Sequence, residues 1–113
     1  MMDVYVCEDL EEQRGAIADY IQNVIMMQGY DMNFRLATDD PEKLIESLKL
    51  SKHTGIYFLD IDLHTGQNGL ALAKEIRDYD QRGFIVFLTA HSEMSFLTFQ
   101  YKVEALDFIL KFL

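Results

Sequence analysis

Short strand-like runs and helix-like runs alternate along the whole chain, and this alternation limits the possible folds more than any other feature. Five runs are rich in β-branched and aromatic residues, and four others carry apolar residues at helical spacing. The predicted strands are 3–7, 32–37, 56–60, 84–89 and 106–110, and the predicted helices are 10–28, 39–48, 70–79 and 92–101. The order βαβαβαβαβ predicts an α/β domain with a five-stranded parallel sheet and helices on both faces.

Local signals support several of these elements. Gly29 follows the first predicted helix as a natural stop, and Pro41 follows Asp40 at a first helical position. The run 56–60 is so apolar that we expect a fully buried strand, whereas the alternation in 32–37 predicts a half-exposed one.

Length and charge narrow the class of protein. A chain of 113 residues is expected to form one domain. The net charge of -9, with only 10 scattered basic residues, argues against direct contact with a nucleic-acid backbone. No apolar run approaches the ~18 residues that suggest a membrane span, and Met1 is not followed by the basic segment of a signal peptide. The single cysteine, Cys7, fits a reducing compartment and is expected in the core, so we predict a cytoplasmic protein without membrane contact.

Reactive side chains follow the predicted strands at their carboxyl ends. Glu8 and Asp9 come after the first strand, Asp60 ends the third, Thr89 ends the fourth and Lys111 follows the fifth. These ends share one rim of a parallel sheet, which is where such sheets bind ligands. Clustered carboxylates favour a hard cation such as Mg²⁺, and a carboxylate beside it can attack phosphorus. The threonine and the lysine would then contact phosphoryl oxygens.

These residues, in this order, resemble the receiver domain of two-component response regulators, a flavodoxin-like fold. The resemblance covers residues 1–113 and implies a phosphoacceptor rather than an enzyme. It implies that Asp60 is the phosphoacceptor and that Mg²⁺ is held by Glu8, Asp9, Asp60 and the backbone carbonyl of Asp62. It further implies that Thr89 and Lys111 bind the phosphoryl group, and that Thr89 and Phe108 form the switch.

Three segments narrow the resemblance to receivers of LytTR-type quorum-sensing regulators, the accessory-gene and competence class. They are YFLDIDLH, IVFLTAHSE and VEALDFILK. This class implies a sensor histidine kinase as partner and a C-terminal LytTR DNA-binding domain, which is not in this chain, as the only route to DNA. A receiver would also continue into a fifth helix after Leu113, which the chain lacks. Without that cover, the stripe Phe96, Phe99 and Tyr101 predicts a homodimer.

Other interpretations of the same residues remain open. DIDLHTG resembles the DxDx(T/V) motif of haloacid-dehalogenase-type phosphatases, with Asp60 as nucleophile and Asp62 as general acid, although His64 stands at the Thr/Val position. Nucleotide binding is disfavoured because CEDLEE, not a glycine-rich turn, follows the first strand. His64 and His91 lack the spacing of zinc ligands. In the simplest interpretation, Asp60 and Asp62 are the solvent-exposed end of a strand and have no further function.

Overall fold

The computed structural model describes residues 1–61 and 68–88 in full, and Thr89 and residues 105–110 by their backbone. The elements are β1 (Met2–Cys7), α1 (Glu11–Gln28), β2 (Met32–Thr38), α2 (Pro41–Leu50), β3 (Gly55–Asp60), α3 (Gly69–Tyr79), β4 (Phe84–Thr89) and β5 (Ala105–Leu110). Every described element was predicted, with bounds that agree to within about two residues at either end. The predicted helix 92–101 lies outside the described residues.

The five strands form one sheet in the order β2-β1-β3-β4-β5, and all four strand pairs are parallel. This order is the flavodoxin-like one, as expected. The first crossover, from β1 to β2, leads toward one edge of the sheet, whereas every later crossover leads toward the opposite edge. Because such crossovers are right-handed, α1 lies on one face and α2 and α3 lie on the other.

The main core lies between the sheet and the helices α2 and α3. It consists of buried apolar side chains from three strands and two helices, with Tyr5 and Tyr57 stacked at a centroid distance of 5.0 Å. Leu44, Ile45 and Leu48 supply the α2 side of this core, and Leu72, Ala73 and Ile76 supply the α3 side. These positions follow the three- and four-residue spacing from which the helices were predicted.

The opposite face of the sheet is less completely covered. No residue of α1 is fully buried, and an apolar groove of ≈ 500 Å³ runs between this helix and the sheet. Ile56 and Phe58 of β3 line the groove and are only half-buried. The expectation of a fully buried strand at 56–60 is therefore wrong for the residues that face α1.

Local signals set the helix ends. Gly29 adopts a left-handed conformation (φ 67°), and the next amide, of Tyr30, donates to the Ile25 carbonyl oxygen at 3.2 Å, which ends α1 as predicted. Asp40 precedes Pro41 and accepts a hydrogen bond from the Glu42 amide at 2.9 Å, so α2 begins at Pro41 rather than at residue 39. Leu10, predicted as helical, is instead the residue before α1 and provides no side-chain cap.

Polar side chains tie the amino ends of the strands together. The Tyr57 hydroxyl donates to Asp80 Oδ2 at 2.7 Å, and the Gly55 amide donates to the same oxygen at 2.8 Å. Asp3 is fully buried and accepts a short hydrogen bond from the Ser51 hydroxyl. This network lies at the end of the sheet opposite to Glu8 and Asp60.

None of the described helices has the length and apolar character that would let it cross a bilayer.

Candidate functional site

Two buried carboxylates lie next to each other at the carboxyl ends of neighbouring strands. Cys7 of β1 pairs with Leu59 of β3, so the following residues, Glu8 and Asp60, occupy adjacent positions in the register. Glu8 is fully buried and Asp60 is 2% exposed. Neighbouring strands are about 4.8 Å apart, so the backbones of these two residues lie close together at the ends of β1 and β3. The sequence prediction that both lie at one rim is confirmed by this register.

The loop after β1 is held by hydrogen bonds to its backbone. The Glu8 amide donates to the Thr38 carbonyl oxygen at 3.0 Å, and the Leu10 amide donates to Glu8 Oε2 at 3.3 Å. Arg14 Nη1 donates to the carbonyl oxygens of Glu8 at 3.0 Å and Asp9 at 3.4 Å. The first turn of α1 is thereby attached to the two acidic residues that the sequence singled out.

More carboxylates lie at this rim than the sequence analysis selected. Burial raises the pKa of the Cys7 thiol most, the negative charges of Asp9, Asp60, Asp39 and Asp40 add to the effect in that order, and together they bring this pKa to about 12. All four therefore lie near the end of β1. We call Glu8, Asp9, Asp39, Asp40 and Asp60 the acidic rim. Asp39 and Asp40 come from the end of β2, where the sequence analysis saw only a helix start.

The start of α3 packs directly on the backbone of Asp60. The Gly69 amide donates to the Ile61 carbonyl oxygen at 2.9 Å, and the Asn68 side chain caps the helix by accepting from the Ala71 amide at 2.8 Å. A Cβ atom at Gly69 would lie 2.8 Å from the Asp60 carbonyl carbon, 2.9 Å from Ile61 Cα and closer still to the Asp60 carbonyl oxygen. Only glycine permits this approach, so Gly69 fixes where the Asp60 peptide stands.

Several predicted site residues belong to β4 and β5 or to the segments that follow the strands. Thr89 ends β4 and pairs with Leu110 of β5, which puts its backbone at the same rim, and Phe108 pairs with Phe87 within the sheet. The side chains of Thr89 and Phe108, and the whole of Asp62 and Lys111, lie outside the described residues, as do His64, His91 and the stripe Phe96, Phe99 and Tyr101. Their predicted roles remain predictions.

The donor chemistry of the rim fits a hard divalent cation, because its side-chain ligands are carboxylate oxygens and two of them are buried. Among the residues that the structure describes, no three metal-ligating side chains are near enough together to hold an ion. The predicted set also includes the backbone of Asp62, which falls in the segment 62–67 that is not described. The chemistry of the rim is therefore compatible with Mg²⁺, and the predicted ligand set remains a prediction.

Sequence analysis missed Arg14 and Gly69. Asn68-Gly69 before a helical pattern is a typical capping signal, but nothing in the sequence shows that Gly69 contacts Asp60. No sequence pattern pointed to Arg14, because its hydrogen bonds are made to backbone oxygens, which every residue has. Both contacts appear only once α1 and α3 are packed against the strand ends.

Comparison with known proteins gives consistent results. The sequence profile described as the response regulator receiver domain matches residues 4–113. The chain is 47% identical over 110 residues to accessory gene regulator protein A of Staphylococcus epidermidis, covering 97% of this chain and 46% of that protein. It therefore spans about half the length of the curated relatives it matches.

Solved structures share the fold. The response regulator TrrA of Thermotoga maritima, in complex with Mg²⁺-BeF, superposes with a TM-score of 0.73 at 23% identity, covering 99% of this chain and 88% of that one. TrrA in complex with the histidine kinase ThkA also gives a TM-score of 0.73, at 21% identity over 99% of this chain and 87% of that one. The profile match and the 47% identity establish the family. The chain belongs to the response regulator receiver domain family.

Proposed function

We propose that this chain is the phosphoacceptor domain of a LytTR-type response regulator and that it takes a phosphoryl group on Asp60 from a sensor histidine kinase. The observation that carries the proposal is the burial of Asp60 at the end of β3, beside Glu8 at the end of β1. The family membership of the chain supports the assignment, and so does the kinase complex of a protein with the same fold.

The transfer requires one nucleophile and support for its charge. A carboxylate oxygen of Asp60 attacks phosphorus, the P–O bond forms as the P–N bond to the donor histidine breaks, and the released electron pair stays on the imidazole, which takes a proton. When bound, Mg²⁺ would neutralise the charge that develops on the phosphoryl oxygens. Glu8, Asp9, Asp60 and the carbonyl of Asp62 would hold it. Thr89 and Lys111 would bind the phosphoryl oxygens, and Thr89 and Phe108 would transmit the change.

The direct test is phosphorylation by acetyl phosphate in the presence of Mg²⁺, followed by mass spectrometry of the intact chain. We expect the gain of one phosphoryl mass, no gain after removal of Mg²⁺ by EDTA, and no gain in Asp60→Asn. Asp78→Asn is a matched control, because Asp78 is an exposed carboxylate near the end of α3. A wild-type chain that stays unmodified, or an Asp60→Asn variant that is modified as fast as wild type, would refute the proposal.

Asp62 tests the assignment of the two neighbouring aspartates. Because Asp62 is proposed to contribute its backbone carbonyl, Asp62→Ala should retain most of the phosphorylation rate, whereas Asp60→Ala should abolish it. Equal losses would mean that both side chains are required. Steady hydrolysis of a phosphate ester that is lost in Asp62→Asn would instead favour the phosphatase alternative, against which the family membership of the chain argues.

The output of the domain is proposed from its relatives. They are about twice as long as this chain, and accessory gene regulators are named as regulators. We propose that a C-terminal LytTR domain binds DNA in the cytoplasm and that phosphorylation promotes a homodimer through the stripe Phe96, Phe99 and Tyr101. Sedimentation of the chain before and after treatment with acetyl phosphate tests the dimer. An unchanged monomer at high protein concentration would rule it out.

A further inference from the structure

Arg14 is attached to the acidic loop by its side chain. It is the fourth residue of α1, and its amide donates to the Leu10 carbonyl oxygen at 2.8 Å in the first turn. Side chains on a helix lean toward its amino end, so the guanidinium extends back past the start of α1. There a single nitrogen, Nη1, donates to the carbonyl oxygens of both Glu8 and Asp9.

The position of this cation is unfavourable for the helix alone. The amino end of a helix carries partial positive charge and stabilises acidic side chains, as Glu11 and Glu12 illustrate in the same turn. Arg14 is therefore not explained by helix stability. Its half-buried guanidinium is instead accounted for by the two carbonyl oxygens that it binds, in a loop whose entry to α1 has no side-chain cap.

The two carbonyl groups set the direction of the acidic side chains. A fixed carbonyl fixes the ψ angle of its residue, and with it the direction in which that residue projects its side chain relative to the following peptide. Arg14 acts on both acidic residues of the loop. We propose that Arg14 is a positioning residue that holds Glu8 and Asp9 in the orientation needed to bind Mg²⁺ beside Asp60. This inference rests on the proposed function of the rim.

The loss of Arg14 should change Mg²⁺ affinity in opposite directions, depending on whether Arg14 acts through its charge or by positioning the ligands. A cation beside a metal site repels Mg²⁺, so its loss should tighten binding if charge alone mattered. Loss of a group that orients metal ligands typically weakens affinity about 10- to 100-fold. The sign of the change therefore separates a positioning role from a purely electrostatic one.

The experiment is calorimetric titration of Mg²⁺ into the wild-type chain, Arg14→Met and Arg14→Lys. We expect the Kd of Arg14→Met to rise about tenfold. Its phosphorylation by acetyl phosphate should fall at low Mg²⁺ and recover at saturating Mg²⁺, which a general loss of structure would not produce. Arg82→Met is the matched control, because Arg82 is exposed in the turn before β4 and should bind Mg²⁺ as wild type does.

Arg14→Lys keeps the charge but has a shorter reach and lacks the planar guanidinium, so its Kd should rise severalfold. If Arg14→Met does not fold, this second variant decides. Unchanged or tighter Mg²⁺ binding in the folded variants, with a wild-type chain that binds Mg²⁺ and is phosphorylated, would overturn the positioning role alone. A wild-type chain that neither binds Mg²⁺ nor accepts a phosphoryl group would overturn the proposed function as well.

Discussion

Replacement of Gly69 by alanine should damage both the stability of the domain and the chemistry of Asp60. The added Cβ atom would lie 2.8 Å from the Asp60 carbonyl carbon and closer still to the Asp60 carbonyl oxygen, whereas ordinary contact begins near 3.4 Å. The carbon contact alone requires the backbone to separate by about 0.6 Å, and the oxygen contact requires more. The neighbour is backbone rather than a flexible side chain, so it cannot move aside alone. Either α3 shifts outward or Asp60 is displaced from the rim.

The cost can be bounded from two opposing effects. Overpacking of this kind costs about 1–3 kcal/mol. Alanine is more favourable than glycine in a helix by about 0.5–1 kcal/mol, and this gain is smaller at the first helical position. We expect a net loss of about 1–2 kcal/mol in the free energy of unfolding, measured by urea denaturation. Displacement of a reacting group by 1 Å can cost about 100-fold, so the rate of phosphorylation by acetyl phosphate should fall by about tenfold or more.

Gly15→Ala is the matched control, because a Cβ atom at Gly15 in α1 would have no other atom within 4 Å. This variant should be more stable than wild type by about 0.5–1 kcal/mol and should be phosphorylated at the wild-type rate. The reasoning fails if Gly69→Ala unfolds at the wild-type urea concentration and is also phosphorylated normally. A less stable variant with a normal rate would show that Gly69 supports the fold without positioning Asp60.

Two further predictions concern groups buried near the sheet. Tyr57→Phe removes a hydrogen bond to the Asp80 carboxylate and should cost about 1–3 kcal/mol in urea denaturation, whereas Tyr79→Phe, at an exposed tyrosine, should cost little. Cys7 should be protected from thiol reagents, because a pKa of about 12 instead of 9.0 lowers its thiolate fraction at pH 8 by about 10³-fold. Since the folded pKa is raised, Cys7 stabilises the fold fully below pH 9 and this contribution is lost as pH rises toward 12. Rapid labelling of the native chain at pH 8 would contradict the burial of the thiol.

The strands and helices could be predicted because local patterns and tertiary packing agree in this chain. Pro41 and Gly29 mark helix ends through backbone preferences that operate in any context. The strand order was implied by the resemblance to receiver domains, and the right-handedness of the crossovers then assigns each helix to a face of the sheet. The meeting of Glu8 with Asp60 followed from the same logic, since parallel strands end at one rim.

The rest could not be predicted because it depends on distances between elements. Ile56 and Phe58 have the composition of buried residues, but their exposure depends on how much of the sheet α1 covers. Arg14 has the sequence context of a surface arginine, and its role follows from two carbonyl oxygens that precede the helix. Gly69 resembles any loop glycine until α3 is placed on the Asp60 peptide. The carboxylates of the site could be predicted from the sequence, whereas Arg14 and Gly69, which we propose position them, could not.

The strand order has a consequence for how the protein matures. β3 lies between β1 and β4, so Glu8 and Asp60 become neighbours only when two strands that are separated in the chain by α1, β2 and α2 have paired. Pairings between segments so distant in sequence are intrinsically slow to form, because loop closure must be paid for before the contacts are made. A nascent chain leaving the ribosome would therefore carry Glu8 and Asp9 well before Asp60 joins them. The acidic rim arises only in molecules whose sheet has assembled in the correct order, so misfolded or incomplete chains are excluded from its chemistry.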